Sequence, residues 1–330
     1  MSMSQTVFPG VPFIESPLFE IDLPNSSLNA TEREIAVQLN RNGFAVFDFP
    51  DPLLDERIER IRSRLAAHFG LAQDGSGDLA GLAGNRVQDD WRNDDDVRAI
   101  ASNPGVLDLL TKLYGRRAFP FQTLNFPVGT QQALHTDSVH FSSLPERFMC
   151  GVWLAMEDVG PDSGALTYVP GSHRWPIMSN AIVGRRGWQS GLHSAQDPYA
   201  DAWSAMLKTT GAHQETFYAR KGQGLIWCAN LLHGGSARLN DQLTRWSQVT
   251  HYYFDDCIYY TPAFSDESLG RLALRDITDA STGRQVPNRY LDEAIELVPP
   301  PSASSRPLGP RWWRRMRKAW RNILPSGKAT

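Results

Sequence analysis

Between Ala118 and Phe254 the chain is cut into short apolar runs, each stopped by Gly, Pro, Asp or Asn. Runs of that length suit strands rather than helices, and many short strands with turn signals between them predict a β-sandwich or barrel. The predicted strands are Phe119–Phe126, Gly151–Met156, Leu166–Val169, Glu215–Ala219, Gly224–Ala229 and Trp246–Phe254. One insertion, residues 173–211, breaks the rhythm and carries a helical pattern near Pro198–Leu207.

The preceding segment has a different period. Leu54, Ile58, Ile61, Leu65 and Phe69 recur at helical spacing, which predicts an amphipathic helix over Leu53–Phe69. Two shorter helices are predicted at Asp95–Ser102 and Pro104–Tyr114, with Pro104 at a first turn. Thr31 with Glu34 reads as a capping box, and Phe44–Phe49 as a strand. Residues 1–30, rich in Pro, Ser and Asn, read as an extended arm. The main domain is therefore expected over 31–298, followed by a Pro/Ser linker over 299–310 and a separate segment, 311–330.

Charge separates that last segment from the rest. The net charge is −3, but residues 311–330 hold seven Lys/Arg and no acidic residue, which leaves residues 1–310 with 26 basic and 36 acidic side chains. Such a body lacks the basic excess that nucleic-acid phosphates require, so no nucleic-acid partner is expected. In the tail, Trp313, Met316, Trp320 and Ile323 share one helical face and Arg314, Lys318 and Arg321 another. That pattern suits an anionic membrane surface over residues 311–324, and equally a helix docked on the acidic body or a contact in a homo-oligomer. Three widely spaced cysteines, Cys150, Cys228 and Cys257, form no CxxC pair, and Met1–Asn29 has no basic-then-apolar leader pattern. A cytoplasmic protein is the expectation from these features.

Leu134-His135-Thr136-Asp137 carries the chemistry. On an extended chain residues i and i+2 share a face, so His135 and Asp137 can reach one metal ion. His233 ends the run Gly224–His233 and precedes Gly234-Gly235, a place that can aim a third ligand. Two His and one Asp are the facial triad that leaves positions open on non-haem Fe(II). Twelve residues on, Arg245 opens a predicted strand, with Ser247 on the same face. The guanidinium can clamp a carboxylate bidentately, and Ser247 can donate to the same group. 2-Oxoglutarate needs both: metal chelation at its keto-acid end and a cation for its distal carboxylate. For Arg245 alone the plain alternative is a surface salt bridge.

These stretches together resemble the phytanoyl-CoA dioxygenase family of Fe(II)/2-oxoglutarate oxygenases. The likeness runs from about Glu32 to Asp255. It rests on Phe121–Phe126, His135–Asp137, Val152–Asp158, Gly164–Leu166 with Val169–His173, and His233–Arg245. The resemblance implies a mainly β chain with flanking helices, built on a double-stranded β-helix, the jelly-roll or cupin-like core. It implies Fe(II) on His135, Asp137 and His233 as the catalytic centre, with 2-oxoglutarate and O2 as cosubstrates. It places Gln122 against the metal-side carboxylate of the cosubstrate, with a satisfied core amide as the alternative. His140, Phe141 and Trp153 are candidates for the substrate wall. Hydroxylation of a small-molecule or lipid-like substrate, releasing succinate and CO2, is the implied reaction. Related halogenating enzymes replace the metal-binding Asp with a small residue; Asp137 is present here, which favours hydroxylation or desaturation. A binding or scaffold module on the same fold, or a non-iron metal enzyme, stays open at this level. His173 reads as a turn group, and His68, His193, His213 and His251 have no partner pattern.

Overall fold

Alternation along one strand organises the molecule. The structure is a computed structural model that describes residues 7–72, 74–187 and 196–295. The strands used below are β1 (Phe44–Asp48), β2 (Val87–Gln88), β3 (Ala118–Phe126), β4 (Ser142–Leu144), β5 (Met149–Ala155), β6 (Leu166–Tyr168), β7 (Glu215–Phe217), β8 (Gln223–Cys228), β9 (His233–Gly235), β10 (Ser247–Phe254) and β11 (Ile258–Tyr260). The helices are α1 (Ala30–Asn42), α2 (Leu54–His68), α3 (Asp95–Ala101), α4 (Pro104–Tyr114) and α5 (Asp197–Thr210). All seven predicted strands and the predicted helices are present, with ends shifted by at most three residues.

Six strands form the large sheet in the order β1-β8-β5-β10-β3-β2. β10 lies inside it, antiparallel to β3 on one side and β5 on the other. Its even positions turn to the helices: the Gln248 amide donates to Val97 O in α3 at 3.2 Å, and the Tyr252 hydroxyl to Ala101 O at 2.8 Å. Its odd positions face inward, where Val249 packs with Phe126, Trp153, Leu225 and Trp227 against Tyr168 and Phe217 of the small sheet β7-β6-β9. Two facing sheets with an apolar layer between them are the jelly-roll that the resemblance implied. One side of the large sheet is covered by helices: Leu39, Ile58, Ile61, Leu65, Val106 and Leu110 share a core with Phe119 and Tyr252.

Three local expectations change. The capping box sits two residues earlier, with Asn29 as N-cap: its side chain accepts from Glu32 N at 3.0 Å, and the Glu32 carboxylate accepts from Asn29 N at 2.9 Å. The 1–30 arm is not extended where it is described. It makes helical turns at Phe13–Glu15, Phe19–Asp22 and Leu23–Asn25, because Ile14 and Phe19 are buried in the helix-side core. His135-Thr136-Asp137 is not a strand. It is one antiparallel bridge to His233 followed by a 3-10 turn at Asp137–Val139; Thr136 between them is extended, and that suffices to put His135 and Asp137 on one side. The insertion helix is α5, anchored by buried Tyr199 and Trp203. The 299–310 linker, the 311–330 segment and His193 lie outside the described residues. Among the described residues no helix is long and apolar enough to cross a membrane.

His173 gives a test of this packing. It is buried at the turn Ser172–Arg174, and its Nε2–H donates to Asn40 O at 3.1 Å. Nδ1 has no partner among the described residues, and it lies so close to Gly43 that a Cβ there would stand 2.5 Å away. A second proton would find no acceptor. Burial first, then the charges of Arg174 and Arg147, pull the imidazole down to about 4. Between that value and the unfolded ~6.5 the unfolded chain takes up a proton that the native protein refuses, so stability falls as pH falls through this window. The limiting slope is ~1.4 kcal/mol per pH unit for one such group. His173→Gln, which keeps a donor for Asn40, is expected to lose less stability than the parent between neutral pH and pH ~5, measured by denaturant unfolding; parallel losses would refute this.

Candidate metal centre

Two backbone hydrogen bonds bring the histidines together. His135 N donates to His233 O and His233 N to His135 O, both at 2.9 Å. The ring centroids are then 4.5 Å apart. Each ring is oriented by a carbonyl of its own loop: His135 Nδ1 with Ala133 O, and His233 Nδ1 with Leu231 O, both at 2.9 Å. A carbonyl only accepts, so in the neutral form of each ring Nδ1 carries the proton and Nε2 holds the lone pair. Both Nε2 atoms face the same oxygen, Asp137 Oδ1, at 3.8 and 3.9 Å. One ligand atom from each of the three residues falls within 4.8 Å of the others, and all three residues are buried. Burial, then the neighbouring His233, lowers the His135 pKa to about 3, so this imidazole is neutral at physiological pH. Burial alone would raise the Asp137 carboxyl, but the imidazoles of His233, His251 and His135 hold it well below the usual carboxylate range. Neutral imidazole and ionised carboxylate are the forms that bind a divalent cation, and this N2O set with open positions fits Fe(II).

The second carboxylate oxygen is occupied from the other side. Trp227 Nε1 donates to Asp137 Oδ2 at 2.7 Å, and His251 Nε2 lies 3.5 Å from the same atom. Trp227 can lie there because its cross-strand neighbour is Gly151; a Cβ on Gly151 would come within 2.2 Å of the indole. The indole thus leaves one oxygen for the metal, and outer partners of this kind set ligand orientation. Trp227→Phe keeps the ring and removes the donor. Metal affinity is expected to fall about 10- to 100-fold with the fold intact; titration of Fe(II) or Co(II) by calorimetry measures this, and unchanged affinity would refute the role.

Arg245 is 3% exposed. Its Nη1 donates to Ser247 Oγ at 3.3 Å and its Nη2 reaches Val128 O at 3.5 Å, while Nε is buried with no partner. No carboxylate of the described residues is within ion-pair distance of it. Glu157 instead accepts from Trp246 N and from the Thr244 hydroxyl, fixing the entry to β10. Desolvation pulls Arg245 down to about 10, against the raising influence of Glu157. A buried guanidinium with an idle N–H is a receptor for an anion.

A cavity of about 390 Å3 joins these groups, lined by His135, Asp137, His233, Arg245, Gln122, His140, Phe141 and Trp153, among others. Every sequence-predicted site residue except Ser247 lines it, and Ser247 contacts Arg245. Trp153 stands near Arg245, whose guanidinium carbon is 5.7 Å from its ring centroid. Gln122 Oε1 is 2.9 Å from His251 Nδ1. The Phe141 ring lies 5.1 Å from His251. His251 therefore has partners the sequence pattern did not suggest. The signal was available: Ser247, Val249 and His251 are successive odd positions of β10, and Arg245 continues the alternation just before it. Trp227 was missed too, although a buried indole N–H commonly finds an acceptor. Gln132, whose amide nitrogen lies 3.3 Å from His135 Nε2, has no sequence signal.

A jelly-roll with a buried His-Asp-His set and a buried arginine at the same cavity defines the class of cupin-like proteins with a facial-triad metal centre. The chain belongs to the phytanoyl-CoA dioxygenase family: the model of the family described as phytanoyl-CoA dioxygenase (PhyH) matches residues 39–246. The probable phytanoyl-CoA dioxygenase of Caenorhabditis elegans is 25% identical over 181 residues, 52% of this chain and 55% of that protein, so the chain spans about half the length of this relative. The peroxisomal phytanoyl-CoA dioxygenase of Rattus norvegicus is 23% identical over 280 residues, 77% of each chain. Among solved structures, the epimerase SnoN in complex with Fe3+, alpha ketoglutarate and nogalamycin RO superposes with a TM-score of 0.53 at 22% identity, over 70% of this chain and 86% of that one. At that identity the likeness shows the fold.

Proposed function

We propose that this protein is an Fe(II)/2-oxoglutarate-dependent dioxygenase that hydroxylates an unactivated C–H bond of a small-molecule or lipid-like substrate, with succinate and CO2 as coproducts. The observation that carries it is the pairing of the buried triad with a buried arginine that has no counter-ion among the described residues. A scaffold module has no need of both. A hydrolytic metal site has no need of Arg245.

Iron with 2-oxoglutarate would supply the activation of O2 and the oxidation of the C–H bond. The protein's own side chains do the rest. His135 and His233 present Nε2, and Asp137 presents Oδ1, as metal ligands. Arg245 and the Ser247 hydroxyl take the distal carboxylate of the cosubstrate, and Gln122 its metal-side carboxylate. Phe126, Leu166 and Val249 give the cavity an apolar lining, and His140 and Phe141 wall the substrate side. Trp153 belongs to the cosubstrate end.

Mixing the protein with Fe(II) and 2-oxoglutarate without O2 is expected to give a weak visible charge-transfer band, absent from His135→Ala. A parent protein without the band, or a variant that keeps it, would overturn this assignment.

A further inference from the structure

The charges around the cavity do not balance once the site is filled. Among the described residues its only carboxylate is Asp137, and its only Lys/Arg side chains are Arg245 and Arg86. Divalent iron, Asp137, Arg245 and doubly charged 2-oxoglutarate cancel one another. Arg86 is left over. It precedes the edge strand β2, is exposed at the mouth of the cavity, and makes no ion pair or side-chain hydrogen bond with a described residue.

A second uncompensated cation stands behind the same wall. Arg275 lies over the Phe141 ring, 4.7 Å from its centroid. It donates to Thr261 Oγ1 at 3.1 Å and reaches His140 O at 3.5 Å; among the described residues its buried Nε has no partner and no carboxylate lies within ion-pair distance of it. Both arginines act on His140, which lies between the metal ligands and Phe141 in sequence and lines the cavity. This concentration of positive charge stands in a body with an acidic excess over residues 1–310. A neutral or cationic substrate would leave it uncompensated, whereas an oxyanion would complete it and could be clamped by the planar guanidinium.

We infer that the substrate carries a carboxylate or phosphate group that docks on Arg86 at the cavity mouth, which directs the rest of the molecule past His140 and Phe141 to the triad. This rests on the oxygenase assignment of the triad and Arg245. The group is a substrate handle, and it takes no part in bond making.

Hexanoate, hexyl phosphate and hexanamide share a chain and differ in charge, so they serve as probes. Each is titrated calorimetrically into the protein loaded with Fe(II) and saturating 2-oxoglutarate without O2. At least one anion is expected to bind about tenfold or more tightly than the amide. That preference is expected to disappear in Arg86→Gln, while the visible band and the affinity for 2-oxoglutarate stay as in the parent. Hexanoate ahead of hexyl phosphate identifies a carboxylate substrate; the reverse order identifies a phosphate. Equal binding of the amide, failure of both anions to bind, or an anion preference that survives Arg86→Gln would overturn the inference. A parent protein without the band would sink the oxygenase assignment instead, and the same comparison of Arg86→Gln with the parent in metal-free protein then decides the anion site by itself.

Discussion

Asp137→Ala is expected to abolish turnover and to weaken Fe(II) binding by more than the ~100-fold that loss of an outer partner costs. The reason is double. The substitution removes the only anionic ligand, and it strands the Trp227 N–H, which is buried and has no second acceptor among the described residues. A buried donor left alone costs about 1–3 kcal/mol, so a modest loss of thermal stability should accompany the loss of metal. Asp137→Asn separates the two effects. Its amide oxygen can still accept from Trp227, so stability should stay near the parent while metal binding still fails. Retained iron affinity in either variant, read by anaerobic titration, would show that Asp137 is not a ligand.

Arg245→Met has an expected effect of opposite sign on two measurements. Affinity for 2-oxoglutarate should fall by about 100- to 1000-fold, the ~3–4 kcal/mol range for truncating one partner of a desolvated charge pair. The thermal midpoint of the ligand-free protein should stay level or rise, because a buried cation without a counter-ion is replaced by an apolar chain of similar length. The stabilisation that added 2-oxoglutarate gives the parent should vanish in the variant. An ordinary structural arginine would behave differently: its loss would lower the midpoint and leave the 2-oxoglutarate response in place.

Much of this was legible in the chain because two periodicities carried it. The β region was readable from short runs such as Gly224–Ala229, and α2 from Leu54, Ile58, Ile61 and Leu65. The triad was readable for a related reason, since His135 and Asp137 are neighbours by alternation. The grounds were nevertheless partly wrong: there is no strand at 135–137, only one extended residue between a bridge and a turn. What the chain did not disclose is contact across strands. Trp227 meets Asp137 only because Gly151 leaves room on the next strand. His251 meets Gln122 because β10 and β3 are in register at that rung, just before a bulge. Arg86, just before an edge strand, and Arg275, from beyond β11, reach the same wall through the topology. The cap of α1 slipped by two residues because Asn29 and Thr31 are both good N-caps, and only the packed helix chooses between them.

The placement of β10 has a consequence for how such a site can diversify. Ser247, Val249 and His251 hang from one rail that is hydrogen-bonded on both flanks, and Arg245 from the segment that leads into it, where its N–H donates to Pro127 O at 2.9 Å, so they cannot be moved one at a time. A slip of one residue would turn all of them towards α3. Arg86, His140 and Phe141 hang elsewhere, on the residue that leads into the edge strand β2 and on the turn that follows Asp137, outside that rail. Selection for a new substrate should therefore accumulate changes at those three positions and around them, while the rail stays as it is.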